Sequence, residues 1–361
     1  MGRNWGNRLD HQCKKTGAQI VSTLRLFDKN GVPIPGGDID ALVDRSWVLN
    51  GIGHANITIA KTDPACTATR LKFGNRILIQ EDDMGTWGGI ILPPRSWAAS
   101  PVQFTAYTIE QLLKDGRYPA ASSYSGYAGG IFEDLIASAN ATEDTLINFG
   151  YAYEGGESWT EETTESVYNA MTSIAKRTGQ DWEIEPSIDS IGNIQWTAYW
   201  RLSRGQDLSE SVVLEEGKHF ELAGGPLLVE QGPIYNSIKL VAFDGVGSTT
   251  TVMAEDEDSI ALYGALQGLF NKTVPTGYTA QTYCDHLLSV HKQPRKTFKL
   301  AVINDDVDTL GSIRLGNTVT IRLVTYGFTG NGLGLKTQVR ILAIEADERD
   351  STLTLVVNEV T

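Results

Sequence analysis

Short runs in which apolar and polar residues alternate recur along the whole chain, each bounded by Gly, Asn or Asp. Ala55–Ile59 reads ANITI, Arg76–Gln80 RILIQ, Val102–Ala106 VQFTA, Asn193–Tyr199 NIQWTAY, Thr318–Val324 TVTIRLV and Thr352–Val356 TLTLV. Alternation with β-branched and aromatic residues puts one apolar face on a pleated strand, so these runs predict strands. A smaller set has helical spacing. In Thr164–Thr178, Val167, Ala170, Met171 and Ile174 recur at helical intervals and Gly179 follows as a C-terminal stop. In Thr279–Val290, Tyr283, Leu287 and Val290 share a face, and Gly130–Ala139 and Ser259–Phe270 carry weaker helical patterns. The expected fold is mainly β, with barrel-like domains at the ends and α+β material between them.

Two decapeptides carry the same pattern. Residues 71–80 read LKFGNRILIQ and residues 313–322 read IRLGNTVTIR. Each has an apolar residue before Gly-Asn, then alternation. In the first copy a glycine-containing loop (Asp82–Gly89), a strand (Gly89–Leu92), a turn (Pro93–Ala99) and a strand (Val102–Ala106) follow. In the second copy the same order is Tyr326–Gly334, Gln338–Ile344, Asp347–Ser351 and Thr352–Val357. A glycine before a strand suits a tight turn that needs positive φ. Two readings stand: the general likeness of antiparallel hairpins, or two similar barrels in one chain.

Composition narrows the classes. With 361 residues the chain can hold about two to four domains. It has 41% hydrophobic and 20% charged residues, as ordinary globular protein does. No run approaches the roughly 18 apolar residues of a membrane helix, and the polar start MGRNWGNRLDHQCKK does not read as a secretory signal. The net charge of −14 argues against a phosphate-binding surface. It fits either solubility or the wall of a channel that DNA slides past.

Candidate chemistry is sparse. Cys13, Cys66 and Cys284 are scattered, with no CxxC pair, and read as reduced thiols. Of His11, His54, His219, His286 and His291, the last two are five residues apart, which does not align two ligands on a helix face. Gly327–Gly334 with Lys336 lacks the ending of a phosphate loop and lies between two strands, as a hairpin tip. Acidic clusters at Glu81–Asp83, at Glu255–Asp258 and at Asp305, Asp306 and Asp308 read as solvated turns, as a lumen-facing ring, or as a hydrolase pair. The aromatics of Tyr118–Tyr127 and Trp196, Tyr199 and Trp200 could stack sugars or fill a core. No catalytic, cofactor-binding or metal-ligating residue is assigned, and the chain is not expected to be an enzyme.

At this point the residues resemble a known family. The opening Ser46–Gly53 (SWVLNGIG) leads into the strand at Ala55, then come FGNRILIQ, Trp87–Ile91 (WGGII), Pro93–Trp97 and Thr105–Leu113 (TAYTIEQLL). Ser166–Trp182 (SVYNAMTSIAKRTGQDW), Ser259–Gly264 (SIALYG), Thr279–Leu288, Gln293-Pro294, Thr297–Val302 and Leu315-Gly316-Asn317 with Val319 follow in order. The series resembles the tail-hub proteins of long-tailed phages, related to the baseplate hub of contractile-tailed phages and to the hub part of type VI secretion spikes. The resemblance implies two similar β-barrel-like hub domains flanking inserted α/β domains. The expected division is 1–106 for the first barrel, 107–204 for an inserted α+β domain, 205–245 with 296–361 for the second barrel, and 246–295 for a small helical/β insertion.

The resemblance further implies a homotrimer forming a pseudo-sixfold ring that joins a hexameric tail tube to the tip and gates DNA ejection. Its expected partners are the tail tube and distal tail proteins, the tape-measure protein and tail fibre or tip proteins. DNA passes through the lumen without specific binding, there is no membrane insertion, and the protein sits in the virion after assembly in the host cytoplasm. A carbohydrate- or receptor-binding tail module is the alternative. Because the sequence stops at Thr361 after the last expected barrel strand, lytic and host-recognition modules are expected on separate proteins.

Overall fold

The computed structural model describes residues 22–80, 85–96, 100–156, 158–163, 165–222, 228–231, 233–243, 249–274, 279–302, 313–324, 334–347 and 352–360. The largest sheet has thirteen strands. Its first part is built from β1 (Ser22–Phe27), β2 (Pro33–Val48), β3 (His54–Ile59), β4 (Arg76–Ile79), β5 (Trp87–Ser96) and β6 (Val102–Thr108). Pairing runs β1-β4-β5-β6-β3-β2, and β2 pairs back onto β1 to close a six-stranded barrel. Alternation sends Leu24, Leu26, Ile39, Ala41, Val43, Ile57, Ile59, Ile77 and Ile79 inward, where they form one buried core.

β2 is sixteen residues long because, with β3 on one edge, it serves β1 and β20 in turn on the other. Its first part closes the barrel against β1, and Asp44–Val48 pair with Ala343–Asp347 of β20 (Leu335–Asp347). This ladder stitches the first barrel to the second. The second is built from β12 (Val213–Glu215), β13 (Phe220–Leu222), β14 (Leu228–Gln231), β18 (Arg295–Val302), β19 (Thr318–Leu323), β20 and β21 (Thr352–Glu359). Its order is β12-β19-β20-β21-β18-β13, with β14 also on β18. It encloses a separate core of Leu300, Val319, Ile321, Val339, Ile341, Leu355, Val357 and their neighbours.

Between the barrels lies an α+β unit. It contains α1 (Glu110–Asp115), β7 (Ser123–Gly126), α2 (Ala128–Thr142), β8 (Ile147–Ala152), β9 (Trp159–Glu162), α3 (Val167–Thr178), β10 (Asp181–Ile188) and β11 (Ile194–Arg201). The helices bury Phe132, Leu135, Met171 and Ile174 with Trp182, Trp196 and Trp200 from the sheet. Ser166 caps α3 by accepting from the Asn169 N–H, and Gly179 ends it in the left-handed conformation the sequence called for. A fourth unit has β15 (Ser237–Phe243) between β16 (Thr249–Glu255) and β17 (Gln267–Thr273), covered by α5 (Ala280–His291). The short α4 (Glu257–Tyr263) lies between β16 and β17.

Local expectations differ in three places. The helix read over Ser259–Phe270 stops at Tyr263, where Gly264 takes positive φ, and the residues from Gln267 form β17. Leu269 and Phe270 thus sit on a strand, Leu269 exposed and Phe270 packed against the unit's core. On α5 the buried residues are Cys284 and Leu288, with Tyr283 and Leu287 packed beside them. The expected face was therefore displaced by one position. Finally, β15 pairs with β16 and β17 and with no barrel strand among the described residues.

Candidate functional site

The two Gly-Asn turns occupy the same place in the two barrels. In the first, the Gly74 N–H donates to the Ile91 carbonyl at 2.9 Å and the Ile91 N–H to the Asn75 carbonyl at 3.0 Å. In the second, the Gly316 N–H donates to the Ile341 carbonyl at 2.8 Å and the Ile341 N–H to the Asn317 carbonyl at 2.9 Å. Gly74 and Gly316 have φ of 90° and 81°, a region glycine enters without a Cβ penalty. The register of β5 slips just after Leu92 and that of β20 just after Ile341. Matching strand order and turn bonds, with a register slip close by in each, make the internal repeat a structural one, beyond the likeness common to all hairpins.

The second turn is also a docking point. Arg340 sits in β20 one residue before Ile341, and its Nε donates to the Gly316 carbonyl at 3.2 Å. Its Nη2 donates to the Arg204 carbonyl at 3.1 Å and to Ser203 Oγ at 3.2 Å, and pairs with Asp181 Oδ2. Asp181 is almost fully buried. It also accepts from the Arg204 N–H at 2.7 Å and from Asn50 Nδ2 at 2.8 Å. Asn50 belongs to the segment after β2, has φ of 51°, and accepts in return from the Trp182 N–H at 2.8 Å. One carboxylate thus ties together the first barrel, the central unit and the second barrel. Beside it, Glu183 is buried and paired with Arg201 and with Arg204, the latter at 2.6 Å.

A cavity of about 380 Å³ opens where these parts meet. Trp47, Trp87 and Thr108 of the first barrel, Glu110, Trp182, Glu185 and Arg204 of the central unit, and Ile313, Leu315 and Ile344 of the second barrel line it. Glu110 is 6% exposed. Its Oε2 and the Trp182 indole N–H are buried without a hydrogen-bond partner. Burial pushes the Glu110 carboxyl up to about 7, against the Thr108 hydroxyl, its own backbone N–H and the charge of Arg204. Desolvation, followed by the charge of Glu183, raises the Glu185 carboxyl as well.

The residues singled out in the sequence mostly have structural places. Trp196 and Trp200 are fully buried, so they stack on protein and present no face to a sugar. Tyr199 lies under the Arg201 guanidinium, while Tyr118 and Tyr127 are exposed. In the Glu255–Asp258 cluster, Glu255 accepts from Ser237 Oγ, and Asp256 caps α4 and pairs with Lys292 at 2.8 Å. The histidines are dispersed: His54 meets Ser46 Oγ at 3.0 Å, His219 Nδ1 accepts from the Glu215 N–H, and His291 packs on Tyr235 and Phe270. Among the described residues no group of three or more His, Cys, Asp or Glu is placed to hold a metal ion. Glu81–Asp83, Asp305, Asp306, Asp308, residues 327–333, Cys13 and His11 lie outside the described residues. Asp181, Glu110 and Arg340 were not singled out in the sequence: a lone carboxylate or arginine at the end of a strand or helix carries no sign of burial.

The chain matches no protein-family model and no curated protein. Its three-dimensional likeness is broad. A tail protein from Neisseria meningitidis MC58 superimposes with a TM-score of 0.61 at 12% identity, over 94% of this chain and 97% of that one. The 43 kDa tail protein of prophage MuSo2 from Shewanella oneidensis gives 0.60 at 11% identity, over 94% and 98%. The chain has the fold of phage tail proteins. Prophage tail protein gp18 from Listeria monocytogenes EGD-e gives 0.57 at 12% identity, over 93% and 94%. Coverage of this extent means that the tail-protein fold takes in more than a single barrel.

Proposed function

We propose that this chain is the structural hub at the tip of a phage-type tail. Three copies form a ring in which two like barrels per chain make six near-equivalent surfaces, so that a threefold tip can meet a hexameric tube. The observation that carries this reading is the repeated strand order, β1-β4-β5-β6-β3-β2 and β12-β19-β20-β21-β18-β13, with its matched Gly-Asn turns. In this role the protein works mechanically and not as an enzyme. It caps the tube, contacts distal tail, tape-measure and tip proteins, and opens for DNA after assembly into a virion in the host cytoplasm. The proposed division keeps 1–106 and 107–204 as first barrel and central unit. The pairing of β15 favours moving the start of the small insertion from 246 to about 233, with 296–361 completing the second barrel.

The test is the mass of the assembled protein by light scattering, followed by imaging. The expected result is three times the 39.4 kDa chain and a ring with six similar lobes. A chain that stays monomeric both alone and with tail-tube protein present overturns the proposal.

A further inference from the structure

We propose that the cavity where the first barrel, the central unit and the second barrel meet is a binding site for an arginine side chain presented by another protein chain. Its volume of about 380 Å³ lies at the low end of ligand-sized pockets, which run about 300–1000 Å³. Trp47, Trp87 and Trp182 contribute to its wall, and besides the Arg-paired Glu183, Glu110 and Glu185 bring carboxyls to it. Glu110 Oε2 is enclosed with no hydrogen-bond partner, an arrangement that costs free energy until a donor arrives.

The protein's own cations do not meet that need. Arg201 and Arg204 are both engaged on Glu183, and Arg204 is the weakest of the influences on Glu110. From the second barrel, Arg314 stands exposed at the rim and donates to the Ile313 carbonyl at 2.7 Å. Tyr168 of α3 also feels the charge of Glu110. Arg204 and Arg201 also act on Glu185, so the unmet need lies at Glu110, whose Oε2 has no donor. A guanidinium fits the deficit better than an ammonium. It is donor-only and planar, can bond two carboxylates, stacks on indole faces and is more weakly hydrated. Glu185, Gly85 and Arg314 are exposed, so a side chain can enter from solvent at this rim. The site does not depend on the ring described above.

Binding must be linked to protons. The empty site holds Glu110 neutral below about pH 7, and a guanidinium favours its ionised form, so entry below that pH expels a proton. The experiment is calorimetry of the full chain with N-acetyl-arginine amide at pH 6 and pH 8, in buffers of different ionisation enthalpy. The expected result is saturable binding about tenfold tighter at pH 8, with close to one proton released at pH 6. Glu110→Gln, which keeps the shape of the neutral acid, should bind more weakly, with the pH dependence and proton release gone. No binding, equal affinity at the two pH values, or an unchanged Glu110→Gln profile overturns the proposal. Equally tight binding of N-acetyl-lysine amide overturns the choice of guanidinium. Binding seen only after Arg314→Ala overturns the external source, because the chain's own arginine then fills the cavity.

Discussion

The two barrels share one strand order but use it differently. The first is closed by hydrogen-bonded ladders all round, with β1 antiparallel to both β2 and β4. In the second, β12 runs parallel to β19 and meets β13 through a tight turn in which the Gly217 N–H donates to the Phe220 carbonyl at 2.9 Å. Their matched turns diverge in the same way. A Cβ on Gly74 would meet nothing within 4 Å, whereas one on Gly316 would lie 2.3 Å from the Arg204 carbonyl oxygen. The position preceding the matched isoleucine is the buried Ile90 in the first barrel and Arg340 in the second. A repeated framework therefore supplies two similar surfaces, and a few side chains decide which of them the central unit docks on. The docking chemistry also differs on the two sides, with Glu110, its carboxyl pushed up to about 7 by burial, beside the first barrel and the Arg340–Asp181 ion pair on the second.

That contrast can be broken experimentally. The largest effect is expected from pH. The Glu110 carboxyl lies at about 7 in the fold against its ordinary 4.5, so its contribution is full below pH 4.5 and is lost as pH rises through about 7. The loss is roughly 3 kcal/mol. Denaturant unfolding of wild type and Glu110→Gln between pH 4 and pH 8 should show this extra slope in wild type alone. Arg340→Ile, which gives the second barrel the first barrel's residue, should lower stability by about 3 kcal/mol. This is the low end for a broken buried ion pair, because Arg340 keeps partial exposure. The same change should loosen the central unit, seen as faster hydrogen exchange at the Trp182 and Arg204 amides. The smallest effects belong to the matched glycines: Gly316→Ala should cost about 2 kcal/mol or more, from positive φ and the clash with Arg204, and Gly74→Ala about 1 kcal/mol from φ alone. Equal losses at the two glycines, measured by urea unfolding, would remove the claim that one turn is docked and the other free.

Much of the architecture could be read from residue order. Alternation in ANITI, RILIQ and TVTIRLV decides which side chains can face a core, and a Gly-Asn pair before a strand marks a turn with positive φ. The repeat follows from two copies of that local grammar. Ser166 and Gly179 bound α3 by capping chemistry that acts over a few residues. The limit appears where local signals compete, as in Ser259–Phe270, where helix and strand spacing overlap and Gly264 breaks the run. Tertiary structure alone decided the rest. β2 joins two barrels because its far end finds β20, some 300 residues later in the chain. Asp181, Asn50 and Arg340 meet through contacts separated by 131 and 159 positions. Glu110 became a buried acid with one oxygen left without a partner because three units close around it. Burial and partnership at a distance depend on packing, and no short window of sequence contains them.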